Sequence, residues 1–388
     1  MKYKLKELLT IHNGKDYRQQ HKGIIPVYGT GGVMTHIDAY LYTGESILLP
    51  RKGSLSNIMY VNGPFWTVDT IYWTTVNTHL VNAKYLYYYL SLLDLSSRDT
   101  GSALPSMTYN SYYELDIDLP SLSVQQKIAQ SIDNIDQKIA INNTISKELE
   151  SMAKTIYDYW FLQFEFPNES GEPYKSSDGE MIWNDILKKK IPEGWEVKKL
   201  QDLVKLGNGI NYSKDTSGDN LYKIVNVRHI TSSSLLINDR SLTKISLPNT
   251  NIDKYLVNNN DILIARSGTP GAVRILTSTS EQILFAGFII HCLPNNPALR
   301  WYLMYSLKKL EGTNATTTGG SILQNVSQTT LKSISIILPT TPIIEKFNQQ
   351  ITPIVEQLEN LLKESQQLKS LRDFLLPMLM NGQVTIKD

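Results

Sequence analysis

Arg51-Lys52-Gly53-Ser54 and Arg266-Ser267-Gly268-Thr269 each follow a short apolar run, and each puts a guanidinium beside a glycine where a strand should end. An arginine so placed is able to grip guanine O6 and N7 with two parallel N–H bonds; it is equally able to hold a phosphate or its own loop. Ser54, Ser56 and Asn57 after the first arginine, and Ser267 and Thr269 after the second, add hydroxyls and an amide of the kind that meet base edges. Two turns, Tyr28-Gly29-Thr30 and Thr316 to Ser321, carry hydroxyls beside flexible glycines and suit either a nucleic-acid backbone or plain solvent. The candidates for touching DNA are therefore Arg51, Lys52, Ser54, Ser56, Asn57, Tyr28, Thr30, Arg266, Ser267, Thr269, Thr317 and Ser321.

Catalytic chemistry finds no such foothold. There is no G-x-x-x-x-G-K-[ST] phosphate loop, no H-E-x-x-H and no G-x-S-x-G at a strand-to-helix junction. An N-P-P-[YF] amino-methylation motif is also missing. Gly29, Gly31 and Gly32 precede no helix-forming stretch, so they read as a turn, and Gly207-Asn208-Gly209 is equally weak as a cofactor signal. Cys292 is the single cysteine, and the six histidines are scattered, so neither a disulfide framework nor a zinc site is expected and the compartment reads as a reducing cytosol. The longest apolar stretch, Ile283 to Ile290, is far short of the ~20 residues of a membrane span, and Met1 to Leu9 alternates lysine with apolar residues instead of forming a signal-peptide core.

Charge narrows the partners. With 38 basic and 37 acidic residues the net charge is +1, so any affinity for nucleic acid must be local or shared with other subunits. The 388 residues suffice for at least two domains, and charged residues make up only 19%, which leaves a surface rich in amides and hydroxyls.

The elements that hold these residues come in duplicate. Lys4 to Tyr17 (KLKELLTIHNGKDY) aligns with Lys199 to Tyr212 (KLQDLVKLGNGINY), and Ile47 to Ser54 aligns with Ile262 to Thr269. Further on, Lys84, Tyr85 and Tyr89 fall on Arg300, Trp301 and Tyr305, and Gly101, Ser102, Leu104, Leu119 and Pro120 fall on Gly320, Ser321, Leu323, Leu338 and Pro339. Four matches in one order indicate two copies of one unit, the second lengthened by loop insertions. Runs such as Ile71 to Val76, Asp261 to Ala265 and Ser333 to Leu338 suggest strands, and Ala83 to Leu93 a helix whose tyrosines 85, 87, 88 and 89 suit core packing or a partner's face better than base stacking.

Each copy ends in a heptad pattern. Ser123 with Gln126 reads as a capping box, after which Ile128, Ile135, Asn142, Leu149 and Ile156 recur every seven residues. A second seam runs through Ile132 and Ile139 and then steps by one to Ile145, Met152 and Tyr159. Near the end of the chain Phe347, Ile354, Leu361, Leu368 and Leu375 keep the same spacing beside Ile351, Leu358 and Ser365, after a start at Thr341-Pro342. Two long coiled-coil helices are expected, with a kink at Pro353, and with Asn142 and Ser365 as polar seam residues of the kind that fix register. A helix from Val124 to Trp160 would span about 55 Å at ~1.5 Å per residue, so an antiparallel pair would act as a ruler between the copies.

Taken together, these residues resemble the DNA specificity subunits of type I restriction-modification systems over essentially the whole chain. The resemblance is carried by Pro26-Val27-Tyr28-Gly29, Arg51-Lys52-Gly53-Ser54, Gly63-Pro64-Phe65-Trp66-Thr67-Val68-Asp69-Thr70, Leu119-Pro120 and Gln125-Gln126-Lys127-Ile128-Ala129. It continues through Tyr159-Trp160-Phe161, Ile191-Pro192-Glu193-Gly194-Trp195, and Leu375-Leu376-Pro377 to Gly382. It implies an α+β fold of two pseudo-repeated mixed α/β target recognition domains, separated by two long helices packed as an antiparallel coiled coil. The expected boundaries are 1–119 and 192–339 for the recognition domains, 120–165 and 340–380 for the spacer helices, 166–191 for a linker and 381–388 for a tail. The resemblance also implies a cytoplasmic, noncatalytic reader of a bipartite asymmetric sequence in double-stranded DNA that holds two adenine-N6 methyltransferase subunits and two motor-nuclease subunits. No cofactor is expected in this chain; S-adenosylmethionine would sit in the methyltransferase, and ATP and magnesium in the motor-nuclease. One departure is that the first recognition domain begins almost at Met1, so any packing supplied by a preceding segment in longer members falls here to the C-terminal tail or is lost. From the residues alone, a noncatalytic coiled-coil assembly protein whose lobes bind protein or glycan is the alternative.

Overall fold

A computed structural model describes residues 1–95, 106–213, 218–231, 234–248, 251–259, 261–276, 281–309, 311 and 326–386. The chain divides into two units, one made of residues 1–139 and 367–388 and the other of residues 140–366.

The first unit runs β1 (Lys2–Lys4), α1 (Leu5–Leu8), β2 (Leu9–Asn13), β3 (Lys22–Gly29), β4 (Gly32–Ile37), β5 (Tyr42–Pro50), β6 (Met59–Thr67), β7 (Ile71–Val76), α2 (Ala83–Ser91), α3 (Tyr109–Tyr113) and β8 (Asp116–Asp118), and then enters α4 (Leu122–Tyr157). Six strands form one sheet in the order β2-β7-β5-β6-β3-β4, while β1 pairs with β8. The apolar run Ile47-Leu48-Leu49 is buried on both faces, as a central strand requires.

The second unit contains β9 (Met181–Asn184), β10 (Lys189–Pro192), β11 (Glu196–Lys199), α5 (Leu200–Leu203), β12 (Val204–Asn208), β13 (Asn220–Val225), α6 (Val227–Ile230), β14 (Leu236–Ile237), β15 (Thr243–Leu247), β16 (Leu256–Val257), β17 (Ile262–Ala265), β18 (Val273–Leu276), β19 (Ile283–Phe285), β20 (Ile289–Pro294), α7 (Arg300–Lys308), α8 (Gln328–Lys332) and β21 (Ser335–Leu338), followed by α9 (Thr341–Met380). Its sheets run β12-β20-β17-β18-β14 and β15-β13-β19-β16, with β11 on β21.

The duplication extends to single hydrogen bonds. Leu5 N–H donates to Leu115 O at 2.9 Å and Leu200 N–H to Ile334 O at 2.8 Å. Lys4 Nζ donates to Glu114 O, and Lys199 Nζ to Ser333 O, each at 3.0 Å. Asn-Gly after β2 and β12 is required by close approach: a Cβ on Gly14 would lie 2.0 Å from Val68 O, and one on Gly209 2.2 Å from Ala286 O.

Each unit buries part of both long helices, and the pairing is antiparallel. In the first, Ile128, Ala129 and Ile132 from the start of α4 share a core with Leu376, Leu379 and Met380 from the end of α9, together with Tyr85 and Leu86 of α2. Buried Gln125 ties α4 to its unit, accepting Asn82 N–H at 2.9 Å and donating to Pro120 O at 3.0 Å. The helix begins at Leu122, so Ser123 lies within it and the expected box with Gln126 is not its cap. In the second unit, Ala153 and Tyr157 from the end of α4, with Phe161 from the helical turn that follows it, pack against Phe347 and Ile351 near the start of α9. The expected linker contributes here too: Phe166 stacks on Tyr174 and Trp195, with centroids 4.5 and 5.0 Å apart.

A further helix expectation needs correction. The second seam does not step sideways after Ile139: Ile145 and Met152 are 40% and 54% exposed, and Tyr159 is also exposed, whereas Ala153 is fully buried and Ser146 half-buried. The strict seven-residue spacing persists through small residues, Ser146 and Ala153. Pro353 is exposed and lies within α9, which is helical for 40 residues. Of the first seam, Ile128 and Asn142 are buried, and Ile135, Leu149 and Ile156 half-buried; on α9, Phe347, Ile354 and Leu361 are buried, and Leu368 and Leu375 half-buried. Among the described residues no helix is long and apolar enough to cross a membrane.

Candidate nucleic-acid interface

Each unit carries an open cleft at the same place in its repeat, beside the tyrosine that follows Asn-Gly. In the first unit the cleft measures about 910 Å³ and is walled by Asp16 to Arg18, the Gly29-Thr30-Gly31 turn, Lys52-Gly53 and Val68 to Thr70. In the second it measures about 620 Å³ and is walled by Tyr212, Asn226, Arg228, Thr243, Lys244 and Phe288, among others. Tyr17 and Tyr212 are the repeat partners, and so are Thr70 and Phe288, whose carbonyls accept the N–H of Arg51 and Arg266 respectively, each at 2.9 Å.

The two arginines singled out by sequence have matching roles in the backbone. Arg51 Nη1 donates to Asp69 O at 3.3 Å, and Arg266 Nη1 to Gly287 O at 3.4 Å. Their own carbonyls accept Met107 N–H at 3.0 Å and Val326 N–H at 2.8 Å. Each therefore braces the loop that forms the cleft wall, and Arg51 also lies over the Tyr72 ring, 5.8 Å from its centroid. Arg266 Nε is buried without a hydrogen-bond partner among the described residues. The glycines two residues on, Gly53 and Gly268, adopt φ of 87° and 76°, which turns the chain sharply after the arginine.

The other candidates divide by exposure. Lys52, Ser54 and Ser56 are exposed, and Lys52 lines the first cleft. Thr30 and Asn57 instead hold the turns together: Thr30 Oγ1 donates to Thr70 O at 2.9 Å, and Asn57 Nδ2 donates to Thr30 O at 2.6 Å. Tyr28 is half-buried, and desolvation raises its phenol above the usual range. In the second unit Thr269 is exposed and Ser267 half-buried, but neither lines the cleft; Thr317 and Ser321 lie outside the described residues. Tyr85 and Tyr88 are core residues, and Tyr88 donates to Asp136 of α4 at 2.7 Å.

Sequence reasoning missed several cleft residues. Arg18 forms a two-pronged pair with Asp16, at 3.0 Å from Nε and 2.7 Å from Nη2 to Oδ2, and this bond holds the Asp16 carboxyl down at about 2. In the second cleft Tyr212 donates to Asn226 Oδ1 at 2.9 Å, Asn226 Nδ2 to Thr243 Oγ1 at 3.2 Å, and Arg228 Nη2 to the same hydroxyl at 2.6 Å. The matched Tyr17 and Tyr212 were a usable signal for the clefts. Nothing in the repeat marks Arg228 or Thr243, because they lie where the second copy departs from the first.

The linings differ electrically. The first cleft balances Arg18 and Lys52 against Asp16 and Asp69, while the second, among the described residues, holds Arg228 and Lys244 with no carboxylate in its wall. Among the described residues no group of histidine, cysteine, aspartate or glutamate is arranged to hold a metal ion.

Two unlike clefts on a repeated frame, joined by long helices, define a duplicated two-unit binding protein. The chain matches the family described as "Type I restriction modification DNA specificity domain" over residues 1–151 and 192–372, and it belongs to that family. It is 26% identical over 371 residues to the type I restriction enzyme MjaIX specificity subunit of Methanocaldococcus jannaschii, covering 90% of this chain and 79% of that one. It is 23% identical over 415 residues to the HindI specificity subunit of Haemophilus influenzae, covering 88% of each. In fold it is similar to the S subunit of a type I restriction-modification system from M. genitalium, with a TM-score of 0.61 at 14% identity, covering 98% of this chain and 95% of that one.

Proposed function

We propose that this chain is the noncatalytic DNA-reading subunit of a type I restriction-modification complex. Each unit reads one half of a bipartite asymmetric sequence, and α4 and α9 set the unread gap. The observation that carries this reading is the pair of clefts at equivalent positions with different linings. One duplicated frame with two chemistries suits two different half-sites. A net charge of +1 supports a shared task, since affinity for DNA scales with the phosphates a protein neutralises, and this chain alone neutralises few. Two adenine-N6 methyltransferase subunits then supply S-adenosylmethionine, the remaining phosphate contacts and the flipping of the target base. Two motor-nuclease subunits add ATP- and magnesium-dependent cleavage, and the assembly works in the cytoplasm.

The test is sequence-specific retention of duplex DNA by the methyltransferases with and without this chain. The expected result is specific retention only in its presence, and no binding of S-adenosylmethionine by the isolated chain. Equal retention without it, or cofactor binding by it alone, would overturn the reading.

A further inference from the structure

Arg228 sits on α6, exposed, at the wall of the second cleft. Its Nη2 donates to Thr243 Oγ1 at 2.6 Å, and that hydroxyl is itself fixed by Asn226, which is fixed by Tyr212. The guanidinium is thus positioned from behind through neutral groups that do not cancel its charge. Its Nε lies 3.2 Å from His229 Nε2, but the His229 ring also accepts Asn226 N–H at Nδ1, at 2.9 Å. A neutral imidazole has one acceptor nitrogen, so the two contacts compete. The shorter one, to the backbone N–H that starts α6, leaves Nε2 protonated and facing Arg228. Burial, reinforced by the charge of Arg228, lowers the His229 pKa and keeps the ring neutral.

Arg228 therefore keeps N–H groups unsatisfied by the described residues. The same cleft is also lined by Lys244 and by Phe288, which is 63% exposed at the position that is threonine in the first copy. A held guanidinium fork, an exposed lysine and an exposed apolar ring are the parts a base-edge reader needs. The fork matches guanine O6 and N7, the lysine a phosphate, and the ring the apolar face of a neighbouring base.

Resting on the reading above, we propose that Arg228 is the specificity-determining residue of the second unit and recognises a guanine in the major groove, with Lys244 on the adjoining phosphate. The full chain, assembled with its methyltransferase partners, is tested by sequencing methylated adenines across genomic DNA. Arg228→Ala should relax one guanine of one half-site to any base, lowering discrimination there roughly 5- to 150-fold, and leave the other half-site unchanged. Arg228→Lys, which keeps the charge but not the fork, should relax the same position. Lys244→Ala should slow methylation of all sequences alike. An intact motif in both Arg228 variants, whether methylation is unchanged or uniformly slower, would overturn the proposal and leave the two-unit reading standing. A wild-type complex that methylates no defined sequence would overturn that reading, and the proposal with it. An unchanged melting temperature for Arg228→Ala separates lost recognition from lost folding.

Discussion

Arg274 and Glu311 show how the second unit carries charge in its interior. The Arg274 side chain is only 3% exposed, and its Nη1 reaches Glu311 Oε2 at 3.1 Å while also donating to Val273 O at 2.7 Å. Burial alone would raise the Glu311 carboxyl, but the Arg274 hydrogen bond and the Lys308 charge outweigh it, and the net direction is down. A carboxyl depressed on folding contributes stability above its unfolded value and loses it as pH falls through the folded value. The unit should therefore weaken as pH drops below the ordinary glutamate value of 4.5. Glu311→Gln should flatten that acid limb in thermal melts, and an unchanged limb would show the pair to be unimportant. Glu311→Ala removes one of the partners of the buried Arg274 guanidinium and should cost about 1–3 kcal/mol near neutral pH.

The helices show which parts of the fold the sequence made legible. Heptad spacing located α4 and α9, and the repeat located both units, because burial of one helix face and of paired strands writes a period into the chain. The seam's later course was not legible: Ile145 and Met152 are the more apolar choice, yet Ala153 is the residue inside. Side-chain size at the contact, not hydrophobicity, decides there, and a pattern of apolar letters does not record it. Ile145→Ser with Met152→Ser should accordingly change stability by less than about 0.5 kcal/mol each, while Ala153→Leu should overpack the seam and cost about 1–3 kcal/mol in denaturant unfolding. The reverse ranking would restore the seam inferred from sequence. Asn142, fully buried, donates to Glu364 Oε2 at 2.7 Å and to Ser365 Oγ at 3.3 Å, joining the two polar interruptions of the seams. Asn142→Ala leaves both without that donor and should destabilise by about 1–3 kcal/mol; a stability unchanged within error would show the contact to be idle. The residues that line the clefts were less legible for a different reason. A duplication reveals what two copies share, such as the brace at Arg51 and Arg266, and conceals what must differ if they read different bases, such as Arg228.

The whole molecule consists of two units with separate cores, each built around its own stretch of the long helices. Separate cores allow one unit's recognition surface to change without disturbing the other's. They also keep the contacts of one cleft separate from those of the other, so that changes in the two units should add independently. The most direct measurement is to exchange residues 1–119 for the matching segment of a relative with different specificity, assemble the hybrid with its methyltransferase partners, and map the methylated adenines. One half-site should take the relative's sequence, while the other half-site and the gap stay as they were. A motif that changes in both halves, or in neither, would contradict the account.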